Sequence, residues 1–472
     1  MTMNNFFSLR KVKMRDKTSL NIRGYGIPFA KLSPQEIEAI KKELTVEPIL
    51  GFASDFGEQN RSFKVYKESR SKLYVPKHYG LSKFGLPEEI SLSKGEDIDV
   101  EFMGSLRVDQ QNAVDCFMKA CENPLQRGGI INLSCGGGKT VIGLHAISLL
   151  KKKTMIIVHK NFLLDQWKER IHMFLPTARV GLIKAKVIDV QDKDIIIGSL
   201  QSLSMKDYEK HIFDDIGFVI VDEIHRTGTE VFSQALQKFN FMYSMGLTAT
   251  LERKDGLTKV FQWSIGDIVY QNKSRADHVA IRVASFMAND EAYHKEERMF
   301  NGKPLTSRMI NNICAYQPRS RYIAEIIFQE FENSNSTRCF LVLSDRKKHL
   351  QDLFGFISES MNWDDTMARA NMGFYVGGMK EKELKESETK KIILATYNYV
   401  SEGCDIGHLD TLVLTTPKTN MEQIVGRILR KKKEDRINVP LVIDVYDAFS
   451  CFKNQFTKRR RYYKSKKYTF IN

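Results

Sequence analysis

A short stretch at residues 129–140, which reads GIINLSCGGGKT, limits most strongly what this chain can fold into. Its first five residues are mostly apolar and predict a buried strand. Three glycines then break the strand, and an apolar segment of helix length begins at Val141. A strand, a glycine loop, a Lys-Thr pair and a helix, in this order, form the layout of a phosphate-binding loop. The sequence therefore predicts an α/β domain that binds a nucleoside triphosphate.

The residue types of this loop suit a triphosphate. Glycines let backbone N–H groups approach phosphate oxygens without a clash from Cβ, and the following helix adds the positive end of its dipole. Lys139 is expected to reach the β- and γ-phosphates, and the Thr140 hydroxyl is expected to ligate Mg²⁺. The predicted nucleotide-binding residues of the loop are Leu133, Ser134, Cys135, Gly136, Gly137, Gly138, Lys139 and Thr140.

A glycine-rich turn that merely precedes a helix is the alternative interpretation of this loop. A GGGKT run directly after a strand is seldom only that, so nucleotide binding is favoured. One residue departs from the full pattern G-x-x-x-x-G-K-[ST], because Leu133 stands where the first glycine is expected.

The net charge of +15 indicates a polyanionic partner, which is either nucleic acid or an anionic membrane surface. The positive charge is concentrated near the end of the sequence, where residues 451–472 hold eight lysines and arginines and no acid. Aromatic residues alternate with these cations, which suits phosphate contacts and base stacking. A solubilising tail, or a segment that folds back on the second domain, is the alternative interpretation.

Two further patterns exclude other classes of protein. None of the seven cysteines forms a CxxC pair, so a structural zinc site is not expected and the thiols are predicted to be reduced. No apolar run approaches the length of a membrane span, and the first residues lack the apolar core of a signal peptide. The prediction is an intracellular, soluble protein without a membrane partner.

The chain is predicted to have four parts. Residues 1–95 read as a small accessory domain, with one helix capped by Ser33, and carry no recognisable chemistry. From there to residue 275, and again over 276–450, short apolar strands rich in Val and Ile alternate with helices, although residues 276–336 read only as a connector and a first helix. That alternation predicts two α/β domains with parallel sheets covered on both faces. Residues 451–472 form the basic aromatic tail.

A second motif, Asp222-Glu223-Ile224-His225, follows the apolar strand predicted at residues 218–222. In open α/β sheets ligands bind beyond the carboxyl ends of the strands, which is also where the glycine loop lies. Asp222 is expected to hold Mg²⁺, and Glu223 to orient and deprotonate the attacking water. An ordinary acidic pair at a strand end is the alternative, but it is disfavoured downstream of GGGKT.

Two weaker motifs complete the set. Thr248-Ala249-Thr250 follows another apolar strand, and its hydroxyls are candidates for coupling the acid site to a second ligand site, although a capped turn gives the same pattern. In the second domain Arg427 and Arg430 are three residues apart and would share a face of a helix. Such guanidinium groups suit the charge of a γ-phosphate, although a basic solvated helix is the alternative.

The motifs SCGGGKT, DEIH, TAT and QIVGRILR, in this order, resemble those of superfamily 2 helicases and translocases. The finer resemblance is to the XPB-like branch, and within it to the poxvirus-type transcript-release helicases of large DNA viruses. It covers about residues 103–447 and implies two tandem RecA-like parallel-sheet domains with a small amino-terminal accessory domain. It also implies that ATP and Mg²⁺ are the cofactors and that Arg427 and Arg430 complete the active site as arginine fingers.

The resemblance assigns further residues to roles. Arg107 and Gln110 would read adenine, Gly403 and Asp405 would face ATP, and Gln423 would sense the phosphate. His225 would couple the domains through hydrogen bonds. Lys160, Gln201 and Thr396 would lie near the nucleic-acid backbone.

Three functions stay open from the sequence. The first is an ATP-dependent DNA helicase or translocase in viral transcription or repair. It would be a monomer, and a viral RNA polymerase or transcription factor would be its partner. It would act in a cytoplasmic virus factory or in the virion. The second is an RNA helicase of the same superfamily. The third is a nucleic-acid-binding scaffold without hydrolysis, which the presence of Lys139, Asp222 and Glu223 disfavours.

Overall fold

The computed structural model describes residues 17–47, 62–133, 136–224, 229–249, 257–272, 278–403, 406–419, 421–431 and 435–471. The chain divides into two compact units, residues 1–273 and residues 274–472. Each unit is built around one large sheet, and the first unit also carries a small sheet.

The small sheet comes from the accessory residues. The strands of this part are β1 (Ser19–Asn21), β2 (Gly24–Pro28), β3 (Thr45–Val46), β4 (Phe63–Lys64), β5 (Lys67–Glu68), β6 (Lys72–Val75) and β7 (Glu89–Ile90). Five of them form the order β5-β6-β2-β1-β7, and β3 pairs with β4. The helices are α1 (Pro34–Glu43) and α2 (Lys77–Phe84). The predicted Ser33 cap is confirmed, since Ser33 and Glu36 form a reciprocal capping box.

The large sheet of the first unit has eight strands. They are β8 (Gly128–Asn132), β9 (Thr154–Val158), β10 (Val180–Lys184), β11 (Val187–Asp189), β12 (Ile195–Ser199), β13 (Phe218–Val221), β14 (Tyr243–Thr248) and β15 (Ile268–Gln271). Their order is β11-β10-β12-β9-β13-β14-β8-β15, and all pairs are parallel except β10 with β11. The helices are α3 (Val108–Glu122), α4 (Lys139–Leu150), α5 (Asn161–Phe174), α6 (Leu200–Met205), α7 (Thr229–Leu236) and α8 (Thr258–Ile265).

The sheet of the second unit has seven strands, and every pairing in it is parallel. They are β16 (Ala280–Phe286), β17 (Phe340–Ser344), β18 (Met372–Tyr375), β19 (Ile392–Thr396), β20 (Thr411–Leu414), β21 (Leu441–Asp447) and β22 (Thr469–Ile471). Their order is β18-β19-β17-β20-β21-β16-β22. The helices are α9 (Glu291–His294), α10 (Thr306–Ala315), α11 (Gln317–Asn333), α12 (Lys347–Ser360), α13 (Asp365–Asn371), α14 (Glu381–Ser387), α15 (Tyr397–Gly403), α16 (Glu422–Val425) and α17 (Ser450–Ser465).

These sheets confirm the predicted fold class, two α/β domains with parallel sheets and a small accessory part. Within the central strands β9, β12 and β17 every residue is buried, as the continuous apolar runs indicated. Among the helices that the structure describes, none combines the length and the apolar character needed to cross a membrane.

Two segments differ from the sequence prediction. The supposed connector over residues 276–336 contains β16, which lies between β21 and β22 in the sheet. The supposed tail forms helix α17 and strand β22, so it folds back on the second unit, which was one of the alternatives. Helix α17 is held by its buried side, where Arg459 Nε donates to Asp444 Oδ2 at 2.8 Å and Tyr463 Oη donates to the same oxygen at 2.9 Å.

Candidate nucleotide-binding site

The glycine loop joins β8 to α4, and two of its glycines have left-handed backbone angles. Gly136 and Gly138 both have φ of +78°, a region that favours glycine. A Cβ placed on Gly138 would lie 2.0 Å from Gln110 Nε2, so the end of that side chain would have to move, and it is the backbone conformation that favours glycine there. Ser134 and Cys135 lie outside the described residues.

Lys139 begins helix α4 and points back toward the sheet. Its Nζ lies 3.2 Å from Glu223 Oε1 and donates to the Leu133 carbonyl at 3.4 Å. Both charged side chains are largely buried, at 11% and 19% exposure, so their attraction is weakly screened. The loop's lysine and the acid of the second motif therefore meet, as their positions at two strand ends predicted.

Leu133 contributes to this site only through its backbone. Its side chain is buried in the hydrophobic core, and its N–H donates to the Thr248 carbonyl at 3.0 Å. A side-chain contact between Leu133 and a nucleotide is therefore excluded in this structure. The departure from the full glycine pattern is explained by packing, because an apolar side chain fills the space beneath the loop.

Asp222 lies just beyond β13 and is almost fully buried. Trp167 Nε1 donates a hydrogen bond to Asp222 Oδ2 at 2.8 Å. Burial, and then the neighbouring charge of Glu223, raise the pKa of Asp222 to about 6, against the opposing effects of Trp167 and Lys139. A carboxylate held this far from water is stabilised by any cation that binds beside it.

Glu223 has a strained backbone. Its φ of +46° places it in the left-handed region, which residues with a Cβ seldom adopt. Such strain costs about 1–3 kcal/mol and persists where the surrounding structure enforces it, often at functional sites. Here the strain accompanies the turn that brings the Glu223 carboxylate to Lys139.

The oxygen atoms near the loop fit a hard divalent cation such as Mg²⁺. Thr140 offers a hydroxyl and Asp222 a carboxylate, and these are the ligand types that Mg²⁺ prefers. Among the described residues no cluster of three or more His, Cys, Asp or Glu could hold a metal alone. Phosphate oxygens of a substrate would have to complete the coordination, as is common for Mg²⁺.

Arg107 and Gln110, predicted to read adenine, contact the backbone of the glycine loop. Arg107 Nη2 donates to the Gly136 carbonyl at 3.3 Å, and Gln110 Nε2 donates to the Gly137 carbonyl at 3.2 Å. Gln110 Oε1 also accepts from Arg107 N at 2.9 Å. These two residues are thus beside the loop, while their contact with adenine stays a prediction.

The coupling motif is described only in part. Thr248 is the last residue of β14, is buried, and its carbonyl accepts from the N–H of Leu133. It therefore lies next to the start of the glycine loop. Thr250 and His225 lie outside the described residues.

In the second unit the predicted arginine helix is wrong. Helix α16 ends at Val425, a single 3-10 turn spans Gly426–Ile428, and Arg430 follows that turn. Arg427 and Arg430 therefore do not share a face of one helix. Gly426 keeps helical backbone angles, and the winding tightens there into the 3-10 turn and ends after Ile428.

The other second-unit candidates are placed as follows. Gln423 is buried on α16 and Arg427 is buried on the 3-10 turn, whereas Arg430 is half-buried. Gly403 is the last residue of α15, and Asp405 lies outside the described residues.

The predicted nucleic-acid residues stand at the carboxyl ends of strands. Lys160 follows β9 and Gln201 follows β12, which are neighbouring parallel strands, and both side chains are exposed. They therefore share one edge of the first sheet. Thr396 is the last residue of β19 in the second unit and is half-buried.

Sequence reasoning missed Trp167 at this site. It is buried on α5, where a tryptophan on an apolar face is usually a core residue. A buried indole N–H needs an acceptor, and that requirement was the available signal. The structure makes Asp222 the acceptor.

The chain is similar to several known proteins. Residues 103–253 match the family described as Type III restriction enzyme, res subunit. A protein of Acanthamoeba polyphaga mimivirus that bears the name of an ATP-dependent RNA helicase is 33% identical over 460 residues, covering 96% of this chain and 86% of that protein. An African swine fever virus protein with the same kind of name is 25% identical over 386 residues, covering 76% of this chain and 72% of that protein.

Among solved structures, S. cerevisiae Dbp5 bound to RNA and ADP BeF3 is similar with a TM-score of 0.50. The two chains are 12% identical, and the match covers 77% of this chain and 89% of Dbp5. At this identity the likeness concerns the fold alone, and it agrees with two tandem RecA-like domains.

Proposed function

The chain belongs to the superfamily 2 helicases, in the group found in large DNA viruses, and we propose that it couples ATP hydrolysis to movement along DNA. The observation that carries the proposal is the meeting of Lys139 with Glu223 at 3.2 Å, one residue after the buried Asp222. Three side chains thus lie together beside the glycine loop: Lys139 to bind phosphate, Asp222 to bind a metal and Glu223 to activate water.

In the proposed mechanism the triphosphate of ATP takes Lys139 away from Glu223. Phosphate oxygens and the carboxylate compete for one ammonium group, and the triphosphate carries more charge. Glu223 then accepts the proton of the water that attacks the γ-phosphate. Until ATP is present, the ion pair keeps this base occupied.

Asp222 and Thr140 would hold Mg²⁺, which neutralises charge on the β- and γ-phosphate oxygens when it is bound. The hydrogen bond from Trp167 orients the Asp222 carboxylate, which would serve as a ligand of the metal. Gly136 and Gly138 let the loop's N–H groups turn toward phosphate.

The second unit is proposed to supply Arg427 and Arg430 to the γ-phosphate, with Gln423 as a phosphate sensor. The support is the order of motifs in the sequence and the membership of the family. A guanidinium that reaches the transferring phosphate stabilises charge in the transition state. Substitution of either arginine should therefore lower the turnover of ATP more than its binding.

DNA is proposed as the track because the motifs resemble the XPB-like branch. The two viral relatives bear names of RNA helicases, so RNA is the second candidate. Transcription termination, transcript release or repair are the proposed roles. The first two would require contact with a viral RNA polymerase or transcription factor.

The test is the ATPase rate of the full chain with double-stranded DNA, single-stranded DNA or RNA, with strand displacement followed in parallel. Stimulation by DNA above that by RNA of the same length supports the proposal. Stimulation by RNA alone selects the RNA helicase. Nucleic-acid binding without hydrolysis under every condition selects the scaffold.

Helix α17 supplies a second contact with nucleic acid in this proposal. Its inner side is anchored by Arg459 and Tyr463, so deletion of residues 453–472 would remove part of the fold. Its outer side carries exposed cations and the helix has no acid; these cations are Lys453, Lys458, Arg460, Arg461 and Lys464. A helix surface with several exposed cations and no acid suits a phosphate backbone.

Charge reversal tests this surface without unfolding the unit. Replacing Arg461 by Glu should weaken DNA binding and lower the slope of log affinity against log salt by about 0.9, the value for one lost phosphate contact. Lys382→Glu, an exposed change on α14 of the same unit, is the matched control. An equal effect of both changes would assign the loss to net charge rather than to α17.

A further inference from the structure

A cleft lies within the first unit, between the accessory sheet and the helices beside the large sheet. About 90 Å³ of its interior is accessible to water-sized molecules, and the cleft is open to solvent. One wall comes from the β1–β2 turn and the strands β5 and β6. The other comes from α7, α8 and the apolar residues Phe239 and Phe241.

The cleft is positively charged. Arg23 and Lys67 line its mouth and no aspartate or glutamate lines it, while burial in the wall lowers the pKa of Lys77 to about 7. In the part of the chain that the structure describes, neither Arg23 nor Lys67 forms an ion pair with a carboxylate. Partial burial, followed by the charge of Arg23, lowers the pKa of Lys67. Two like charges held this close are stabilised by a bound anion.

Aromatic rings accompany these cations. The Arg23 guanidinium lies 5.7 Å from the centroid of the Tyr74 ring, and Tyr66 also lines the cleft. Tyr74 and Lys67 are direct partners on β6 and β5. Gly26 is the partner of Tyr74 on β2, and a Cβ there would come within 2.8 Å of the ring, so the ring lies close against the strand.

The two walls are fixed to each other. Lys77, at the start of α2, is buried and its Nζ donates to the Met242 carbonyl at 2.6 Å, just before β14. Its neighbour His78 lies within 3.3 Å of Ser244 Oγ. A ligand would thus enter a cleft that is already formed, which lowers the entropic cost of binding.

We propose that this cleft binds an unpaired stretch of nucleic acid, with phosphates on Arg23 and Lys67 and a base against Tyr66 or Tyr74. Cations suit any polyanion, but rings beside them suit bases, because every base has a flat face that stacks. An acidic peptide would use the cations and leave the rings without a role. The inference rests on the proposed function and places one strand of the nucleic acid on the accessory part of the first unit.

The test measures binding of a fluorescent oligothymidylate to the full chain across a range of salt concentrations. Arg23→Glu with Lys67→Glu should lower affinity at least tenfold and reduce the salt slope by about 1.4, since single strands give about 0.7 per phosphate contact. Tyr74→Leu or Tyr66→Leu should lower affinity about 5- to 100-fold. Tyr74→Phe keeps the ring and should bind like the unaltered protein.

Lys42→Glu with Lys94→Glu is the matched control, because it reverses two exposed cations that do not line the cleft. Crosslinking with a 5-iodouracil oligonucleotide, mapped by mass spectrometry, should label Tyr66 or Tyr74. Thermal melting verifies that each variant is folded. Loss of affinity in Lys42→Glu with Lys94→Glu equal to that in Arg23→Glu with Lys67→Glu would overturn the proposal.

Three results separate the possible failures. An unaltered protein that binds no nucleic acid contradicts the proposed function itself. Binding that the cleft variants leave unchanged, with the same salt slope, contradicts only the cleft. If polyglutamate binds as tightly as oligothymidylate and loses affinity in the same variants, the cleft recognises charge alone and the assignment to nucleic acid is overturned.

Discussion

The two α/β units bury acidic side chains at their sheets and treat them differently. In the second unit Asp447 accepts from Arg319 Nε at 2.6 Å and Nη2 at 2.8 Å, and from Tyr293 at 2.7 Å. Asp222 of the first unit accepts from Trp167, and its pKa is raised to about 6. The second unit balances the charge of Asp447 with a buried cation, whereas the first unit holds Asp222 in a form that a cation would stabilise.

The comparison distinguishes buried carboxylates that stabilise the fold from buried carboxylates that are available to bind a ligand. A buried carboxylate with a bidentate arginine and a tyrosine has its hydrogen-bonding capacity used within the protein. A buried carboxylate that is paired incompletely costs stability, and a substrate or metal can recover that cost. Substitutions in the two units should therefore affect different measurable properties.

The largest effect is expected from the nucleotide site. Lys139→Ala and Glu223→Gln should each lower ATP hydrolysis by a hundredfold or more, about 3 kcal/mol or more in activation free energy, because each removes a group that acts on the phosphate. Glu223→Gln should leave ATP binding largely intact, as measured by titration with a fluorescent ATP analogue. Hydrolysis at the normal rate in Glu223→Gln would show that another group activates the water.

Breaking the buried ion pair of the second unit should change stability. Arg319→Met leaves Asp447 buried without its cation and should lower the free energy of unfolding by about 3–5 kcal/mol, measured by chemical denaturation. Arg321→Met is the matched control, because Arg321 lies on the exposed side of the same helix and pairs with Glu359 of α12. A similar small loss in both variants would mean that the buried pair contributes no more than a surface pair.

Acid should weaken the second unit through His349. Burial, followed by the charge of Arg319, lowers the pKa of His349 to about 3. Between pH 6.5 and 3 the unfolded chain binds a proton that the folded chain does not, so the free energy of unfolding falls by up to about 1.4 kcal/mol per pH unit as the pH drops.

Removing His349 should flatten this dependence. His349→Gln should lower stability at neutral pH, because the ring contacts Ser344 and Ser320 through its two nitrogens at 3.0 and 3.2 Å. Its stability should then fall less steeply than that of the unaltered protein from pH 6.5 to 4, as measured by denaturation at each pH. Parallel slopes would contradict a neutral, buried His349.

The smallest effect is expected from Trp167→Phe, which removes the hydrogen bond to Asp222. ATP hydrolysis should fall about fivefold, which corresponds to about 1 kcal/mol for one hydrogen bond. Ile171→Val, a core change on the same helix, should lower stability and leave hydrolysis unchanged. Equal loss of hydrolysis in both variants would assign the effect of Trp167 to packing.

Much of the fold could be predicted because the central strands are continuous apolar runs. Such runs are buried on both faces of a sheet, and they can be recognised from consecutive residues alone. Strand β16 was missed since its sequence, AIRVASF, includes Arg282 and Ser285 and its partners lie far along the chain. Helix α17 was not predicted, because its many basic residues obscured the pattern of the three side chains that it buries, Phe452, Arg459 and Tyr463.

The candidate site was predictable where local sequence motifs mark its residues. Lys139, Asp222 and Glu223 were found because each follows an apolar strand, and parallel strands end at one edge of a sheet. Trp167 was not found because its partner is 55 residues away and no local pattern links the two. The same limitation applies to Arg319 and Asp447, which are 128 residues apart.

The place of β16 in its sheet bears on how the protein is made. Ribosomes add residues in order, and the two neighbours of β16 are synthesised about 160 and 190 residues after it begins. At a rate of 5–20 residues per second, its edges wait unpaired for roughly ten to forty seconds. The eight strands of the first large sheet are complete by then, so the nascent chain carries one finished sheet while the edges of β16 stay open to aggregation.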